Sequence, residues 1–172
     1  ETMKHDSEQM IAVCDLDLNR KKDGKILVDQ YYAEKGKKVE TSMYENYQEM
    51  LSNKEIDAVI ISTPDHWHAQ PALEAALANK HVYLQKPTSL TVEEGRLLSM
   101  IVKQQKIILQ VGTQQRSSKQ FKDAAELVRN GRIGKLHTVK VGLPGDPGGP
   151  TAIPEPVPEQ LNFDAWLGST PE

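Results

Sequence analysis

Three short apolar runs, AVII at 58–61, HVYLQ at 81–85 and IILQV at 107–111, are separated by segments whose apolar residues recur with helical spacing. An apolar run of four or five residues suits a strand buried on both faces, the environment of a parallel sheet. Between the first two runs, Ala69, Ala72, Leu73, Ala76 and Leu77 fall at i, i+3, i+4, i+7 and i+8. They form one stripe of a helix that stops near Asn79-Lys80. Between the second and third runs, Thr91 and Glu94 stand three apart as a capping box, opening a helix that buries Leu97, Leu98 and Ile101. Strands alternating with helices of these lengths return to one sheet by right-handed crossovers, so the pattern predicts an open, doubly wound α/β fold. Residues 58–61 are expected as a central strand of it.

The alternation continues on both sides. Met10 to Cys14 reads as a strand ended by Asp15, Lys25 to Lys35 as a helix, Lys38 to Ser42 as a short strand and Glu45 to Leu51 as a short helix. Phe121, Ala124, Ala125 and Val128 line a further helix closed by Gly131. After Gly134 the pattern changes. Leu136 to Val141 alternates as a half-exposed strand does, and GLPGDPGGPTAIPEPVPE at 142–159 holds too much proline and glycine for a helix or a central strand. A domain change is therefore expected near residue 135, with 1–134 a Rossmann-like domain and 135–172 the start of a second, α+β domain.

Charge and composition exclude several classes. The 21 basic and 24 acidic residues are mixed along the chain, which leaves no basic footprint for nucleic acid. No run of about 18 apolar residues offers a membrane span, and nothing at the start reads as a signal peptide. The chain begins at Glu1, which points to processing, truncation or a fragment, with Met3 an available initiator. Location stays open between the cytoplasm and, given a leader upstream, the periplasm or exterior. Cys14 is the single cysteine, so no internal disulfide forms, and its setting in IAVCDLD is that of a small buried strand residue.

Ligands of open α/β sheets bind beyond the carboxyl ends of the strands. The tips here are Asp15, Ser62-Thr63-Pro64, Gln85-Lys86-Pro87 and Gly112-Thr113-Gln114. An acid ending the second strand of a dinucleotide fold accepts the adenosine ribose hydroxyls and repels a 2′-phosphate, so Asp15 points to NAD over NADP. Arg20 nearby softens that preference by meeting a phosphate, and an ordinary turn aspartate is the plainer reading. The glycine-rich phosphate loop has no counterpart, because the glycines at 142, 145, 148 and 149 open no helix. A dinucleotide fold would then have its first strand, glycine loop and first helix upstream of Glu1, or would have lost them. His66 and His68 alternate along a short segment, where they line a pocket, cap the next helix or, with Asp65, make an incomplete metal set. Lys86 is held by Pro87 at a strand tip. Partial desolvation there would ready it to exchange a proton with a hydroxyl, whereas a solvated turn lysine would do nothing.

STPDHWHA (62–69), YLQKP with the following TSLT (83–91) and VGTQQRS (111–117) resemble the Gfo/Idh/MocA oxidoreductases, the family of glucose-fructose oxidoreductase and inositol 2-dehydrogenase. The similarity runs from about residue 10 through AVCDLD to the closing FDAWLG. It implies a nicotinamide cofactor, NAD with NADP as the alternative, a sugar or polyol substrate, and a homo-oligomer when the protein is complete. By the same resemblance Asp15 is the ribose-binding acid, Ser62, Thr63, Pro64 and His66 form the loop beside the cofactor, Lys86 is the catalytic lysine and Pro87 its motif's proline. Gln85 stands where glutamate is usual, removing a charge beside the lysine. Gln114 and Arg116 match the segment after the next strand, toward cofactor and substrate, and Trp166 matches a tryptophan near the active cleft. The lysine's partners belong to a second domain beyond Glu172, so the chain is expected not to turn over alone. Two other readings stand beside this one: a relative that uses bound NAD transiently to cleave or eliminate a glycosidic substituent, and a shortened binding module without catalysis.

Overall fold

The computed structural model describes residues 7–143, 145, 149 and 153–170. They fall into two compact units, Glu1–Gly112 with Val157–Glu172, and Thr113–Pro156.

The first unit is a Rossmann-like arrangement of parallel strands and connecting helices. Strand β1 (Ala12–Cys14) leads through helix α1 (Leu18–Glu34) to its parallel neighbour β2 (Ser42–Tyr44). Helix α2 (Tyr47–Ser52) then leads to β3 (Ala58–Ile61), which pairs in parallel with β4 (His81–Gln85), itself paired with β5 (Leu109–Gly112). Helices α3 (Ala69–Leu77) and α4 (Val92–Gln105) make the two crossovers of this second sheet. Among the described residues β3 is therefore an edge strand in the order β3-β4-β5, not the expected central one. An apolar run reports the surroundings of its side chains and says nothing of whether both backbone edges are paired.

The core lies on one face of the three-stranded sheet. Val59, Ile61, Val82 and Leu84 are buried there against Ala72, Ala75 and Ala76 of α3 and Leu98 of α4. Alanine on α3 lets the helix approach the strands closely, and each fully buried Val or Leu contributes about 1.5–3 kcal/mol. The opposite face carries Ile60, 46% exposed, beside its register partner Tyr83. The continuous apolar run thus covers one buried and one open face.

Helix limits follow their caps. The Asp17 side chain accepts the N–H groups of Asn19 and Arg20, so α1 begins at Leu18, well before Lys25. The Thr91/Glu94 capping box is formed, and α4 buries Leu98 while Leu97 stays exposed. Strand β2 starts at Ser42, later than expected, because the N–H and hydroxyl of Thr41 are both given to Asp29 Oδ1 at 3.1 and 2.6 Å. Lys25 donates to the same carboxylate and to the Thr41 carbonyl, and with Thr41 it holds Asp29 below its usual carboxylate range.

The closing segment of this unit returns to the carboxyl end of β1. Leu18 N–H donates to the Gln160 carbonyl and Asn162 N–H to that of Leu16, after which helix α6 (Phe163–Leu167) ends at Gly168.

The second unit holds a 3-10 turn at Gln114–Ser117 and helix α5 (Lys119–Arg129), with Gly131 at φ 67° just beyond. The helix forms where its periodicity places it, yet its apolar stripe is uncovered, Phe121 being 56% exposed. Leu136 to Val141 forms no strand. Alternation makes a strand only when a neighbour supplies a ladder, and no described residue does so. Among the described residues no helix is long and apolar enough to cross a membrane.

Candidate functional site

The carboxyl ends of β1 and β3 open on one cavity of about 960 Å³, at the upper end of the range for small-molecule sites. Asp15, Leu16, Asp17 and Arg20 form one wall, Ser62, Thr63 and Pro64 another, and Trp67, Ala165 and Trp166 a third. The expected juxtaposition of Asp15 with the Ser62-Thr63-Pro64 tip is therefore present. Gln85, Lys86 and Pro87, at the tip of the adjoining strand β4, are not among the lining residues.

Asp15 Oδ1 accepts the Asp17 N–H at 2.9 Å, and Oδ2 has no partner among the described residues. That free oxygen suits a pair of ribose hydroxyls. The turn from β1 to α1 is Asp15-Leu16-Asp17, without glycine, and the first amides of α1 are already closed by the Asp17 carboxylate at 2.8 and 3.1 Å. A phosphate would meet a negative charge there, not free N–H groups. The residues present fit the adenosine ribose end of a dinucleotide, while no pyrophosphate cradle lies among them.

A cluster that sequence reading missed contributes Glu45 and Asn162 to the same lining. Lys21, 7% exposed, donates to Glu45 Oε2 at 3.4 Å, and Asn162 Nδ2 donates to Glu45 Oε1 at 2.9 Å. The Asn162 hydrogen bond, then Lys21, hold the Glu45 carboxyl below its usual range. Cys14 Sγ lies 3.5 Å from the Glu45 carbonyl, and burial, with Asp15 adding, pushes its thiol up to about 11. It is a protonated wall residue and no nucleophile.

A second anchor is aromatic. His66 Nε2 and Trp67 Nε1 both donate to the Trp166 carbonyl, at 2.8 and 2.9 Å. Trp166 stacks on Phe163 at 5.7 Å between centroids. Gly168 packs on the Trp67 indole so closely that a Cβ would lie 2.6 Å from it. His66 thus fastens the closing segment to the loop after β3. His68 instead donates through Nδ1 to the Pro87 carbonyl. The two histidines serve different carbonyls, and among the described residues no group of three His, Cys, Asp or Glu could hold a metal ion.

At the tip of β4 the Lys86–Pro87 peptide is cis, and Gln85 Oε1 accepts the Lys86 N–H at 3.0 Å. Lys86 is exposed, so the desolvation expected of it is not present in this unit. Gly112 at the end of β5 makes room for the arrangement, because a Cβ there would lie 2.7 Å from Gln85 Oε1. Gln114 and Arg116 belong to the other unit.

The oxidoreductase family with an NAD-binding Rossmann fold, Gfo/Idh/MocA, matches residues 2–113. The NAD⁺-dependent scyllo-inositol 2-dehydrogenase of Bacillus subtilis is 37% identical over 108 residues, 63% of this chain and 31% of that protein. The myo-inositol 2-dehydrogenase of Thermotoga maritima is 31% identical over 98 residues, 57% of this chain and 29% of that one. Myo-inositol 2-dehydrogenase from Lactobacillus plantarum superposes with a TM-score of 0.64 at 29% identity, over 78% of this chain and 37% of that one. The scyllo-inositol dehydrogenase of Lactobacillus casei, solved with NAD(H) and scyllo-inositol, gives 0.62 at 25% identity, over 77% and 36%. The chain spans about a third of the length of these relatives.

Proposed function

This chain belongs to the Gfo/Idh/MocA oxidoreductase family, and on that premise we propose that it is the cofactor-binding part of an NAD-dependent oxidoreductase acting on a sugar or polyol hydroxyl. The observation that supports this reading is that Asp15 and Ser62-Thr63-Pro64, at the ends of parallel strands, line one cavity. NAD bound there supplies the nicotinamide carbon that accepts a hydride.

Asp15 offers its free oxygen to the ribose hydroxyls, and its charge disfavours a 2′-phosphate; Arg20, on the same wall, is the group through which NADP would be tolerated. Thr63 is committed to the Trp67 carbonyl at 2.8 Å, which stiffens the loop that Ser62, Pro64 and His66 complete beside the cofactor. Lys86 takes the substrate's hydroxyl proton as the hydride departs, with Gln85 and Pro87 fixing its backbone. Trp166 lies on the cavity wall and meets the substrate. The assignments of Gln114 to the cofactor and Arg116 to the substrate rest on the resemblance alone. Residues 135–172 are read as the opening of a substrate domain, its closing segment belonging to the first unit, and the complete protein as a homo-oligomer. On the same reading this chain by itself does not turn over.

The test is a titration with NADH followed by nicotinamide fluorescence, on this chain and on the same chain extended ahead of residue 1. Binding that weakens in Asp15→Asn, with the preference over NADPH reduced, supports the reading. No binding by either form, or binding indifferent to Asp15→Asn, overturns it.

A further inference from the structure

His68 joins the 3-10 turn Asp65–Trp67 to α3, and its side chain is 1% exposed. It is, with Leu84, one of the two largest fully buried side chains. A side chain at that depth could be apolar if the site asked only for volume. The structure shows what the imidazole does there. Nδ1 meets the Pro87 carbonyl, which can only accept, so Nδ1 carries a hydrogen. Nε2 is buried with no hydrogen-bond partner among the described residues, an arrangement that destabilises the fold. Among the described residues the bond to Pro87 is therefore the one polar interaction that distinguishes histidine from a hydrocarbon at this position.

That bond has a particular reach. It ties the residue that follows the Ser62–Trp67 loop to the turn that follows β4, so it links the tip lining the cavity to the tip carrying Lys86. On the other side of the lysine, Gln85 Oε1 holds the Lys86 N–H. The turn is thus held at the lysine's own N–H and at the carbonyl of the next residue, while the lysine side chain is exposed. A long flexible side chain delivers a proton reproducibly only if its root is fixed.

We propose that His68 is the positioning residue of the lysine turn, setting the distance between Lys86 and the cavity through the Pro87 carbonyl. The proposal rests on the reading of Lys86 as the proton carrier. Three substitutions separate its parts: His68→Asn keeps an N–H donor near the place of Nδ1, His68→Gln moves the donor toward the place of Nε2, and His68→Phe keeps the ring without a donor. In the full polypeptide, with NAD and scyllo-inositol as the probe substrate, Lys86→Met is expected to abolish NADH formation. His68→Phe and His68→Gln should lower kcat by between about tenfold and a hundredfold with the KM for NAD little changed, and His68→Asn should restore most of the loss. If Lys86→Met turns over normally, the reading of Lys86 fails and this proposal with it. If Lys86→Met is dead but His68→Phe matches wild type, or His68→Asn falls as far as His68→Phe, the positioning role alone is overturned. Should His68→Phe not fold, the asparagine and glutamine variants decide the matter between them. ¹⁵N spectra of the 172-residue chain give a readout without turnover: His68 must carry its hydrogen on Nδ1, and the opposite tautomer refutes the proposal.

Discussion

Replacing Gly112 by alanine probes the lysine turn from the neighbouring strand. The added Cβ would lie 2.7 Å from Gln85 Oε1, 3.0 Å from the Tyr83 hydroxyl and 3.1 Å from Tyr83 Cε1. All three atoms belong to side chains, and Tyr83 is exposed enough to swing outward. The cheapest relief rotates Gln85 away and breaks its bond to the Lys86 N–H, a loss of about 0.5–1.5 kcal/mol. Against it stands a gain of about 0.4–1 kcal/mol from the narrower unfolded ensemble of alanine. The expected result is a net change within about 1 kcal/mol in urea unfolding. Amide exchange at Lys86 should become about 2- to 12-fold faster, the factor corresponding to the lost bond. In a Gln85→Ala background, where the bond is already gone, the same substitution should leave Lys86 exchange unchanged. A destabilisation above about 3 kcal/mol would show that the two side chains cannot yield. Unchanged exchange at Lys86 would show that the Gln85 contact does not hold the turn.

Three further outcomes follow from the packing and the charges. Leu84→Ala, at a fully buried position of the central strand of the second sheet, should cost about 2.7–5 kcal/mol in thermal or urea unfolding; a cost below about 1 kcal/mol would mean the core is looser than described. Because Glu45 is held below its usual range in the folded chain, the unfolded chain takes up its proton first as pH falls. The stability it contributes is present above the unfolded carboxylate value and is lost as pH drops through the lower folded one, so the docking of the Trp166 segment, followed by tryptophan fluorescence, should loosen in acid. Glu45→Gln should flatten that dependence. Cys14, with its thiol raised to about 11 chiefly by its partial burial, should react slowly with iodoacetamide at pH 8 and faster in Asp15→Asn; rapid alkylation at pH 8 would refute its half-buried, protonated state.

What the sequence determined by itself was local. Residues 58–61 and 81–85 are the strands it marked, and the Thr91/Glu94 capping box opens α4 as read, because apolar period and caps act over a few neighbouring residues. The tip residues were legible for the same reason: once the strands are known to be parallel, their carboxyl ends share an edge, and Asp15 and Ser62-Thr63-Pro64 do line one cavity. Other features were decided by partners far along the chain. Thr41 is taken by Asp29, which displaces the start of β2, and Leu136 to Val141 lacks the neighbour that would turn its alternation into a strand. The Glu45–Asn162 bond spans 117 residues, and no spacing rule reaches across it. His68 read as a pocket, helix-capping or metal histidine until the structure set its Nδ1 against the Pro87 carbonyl. Hydrogen bonds within a turn follow from residue order, whereas a bond between two loops exists only once the core beneath them has placed both.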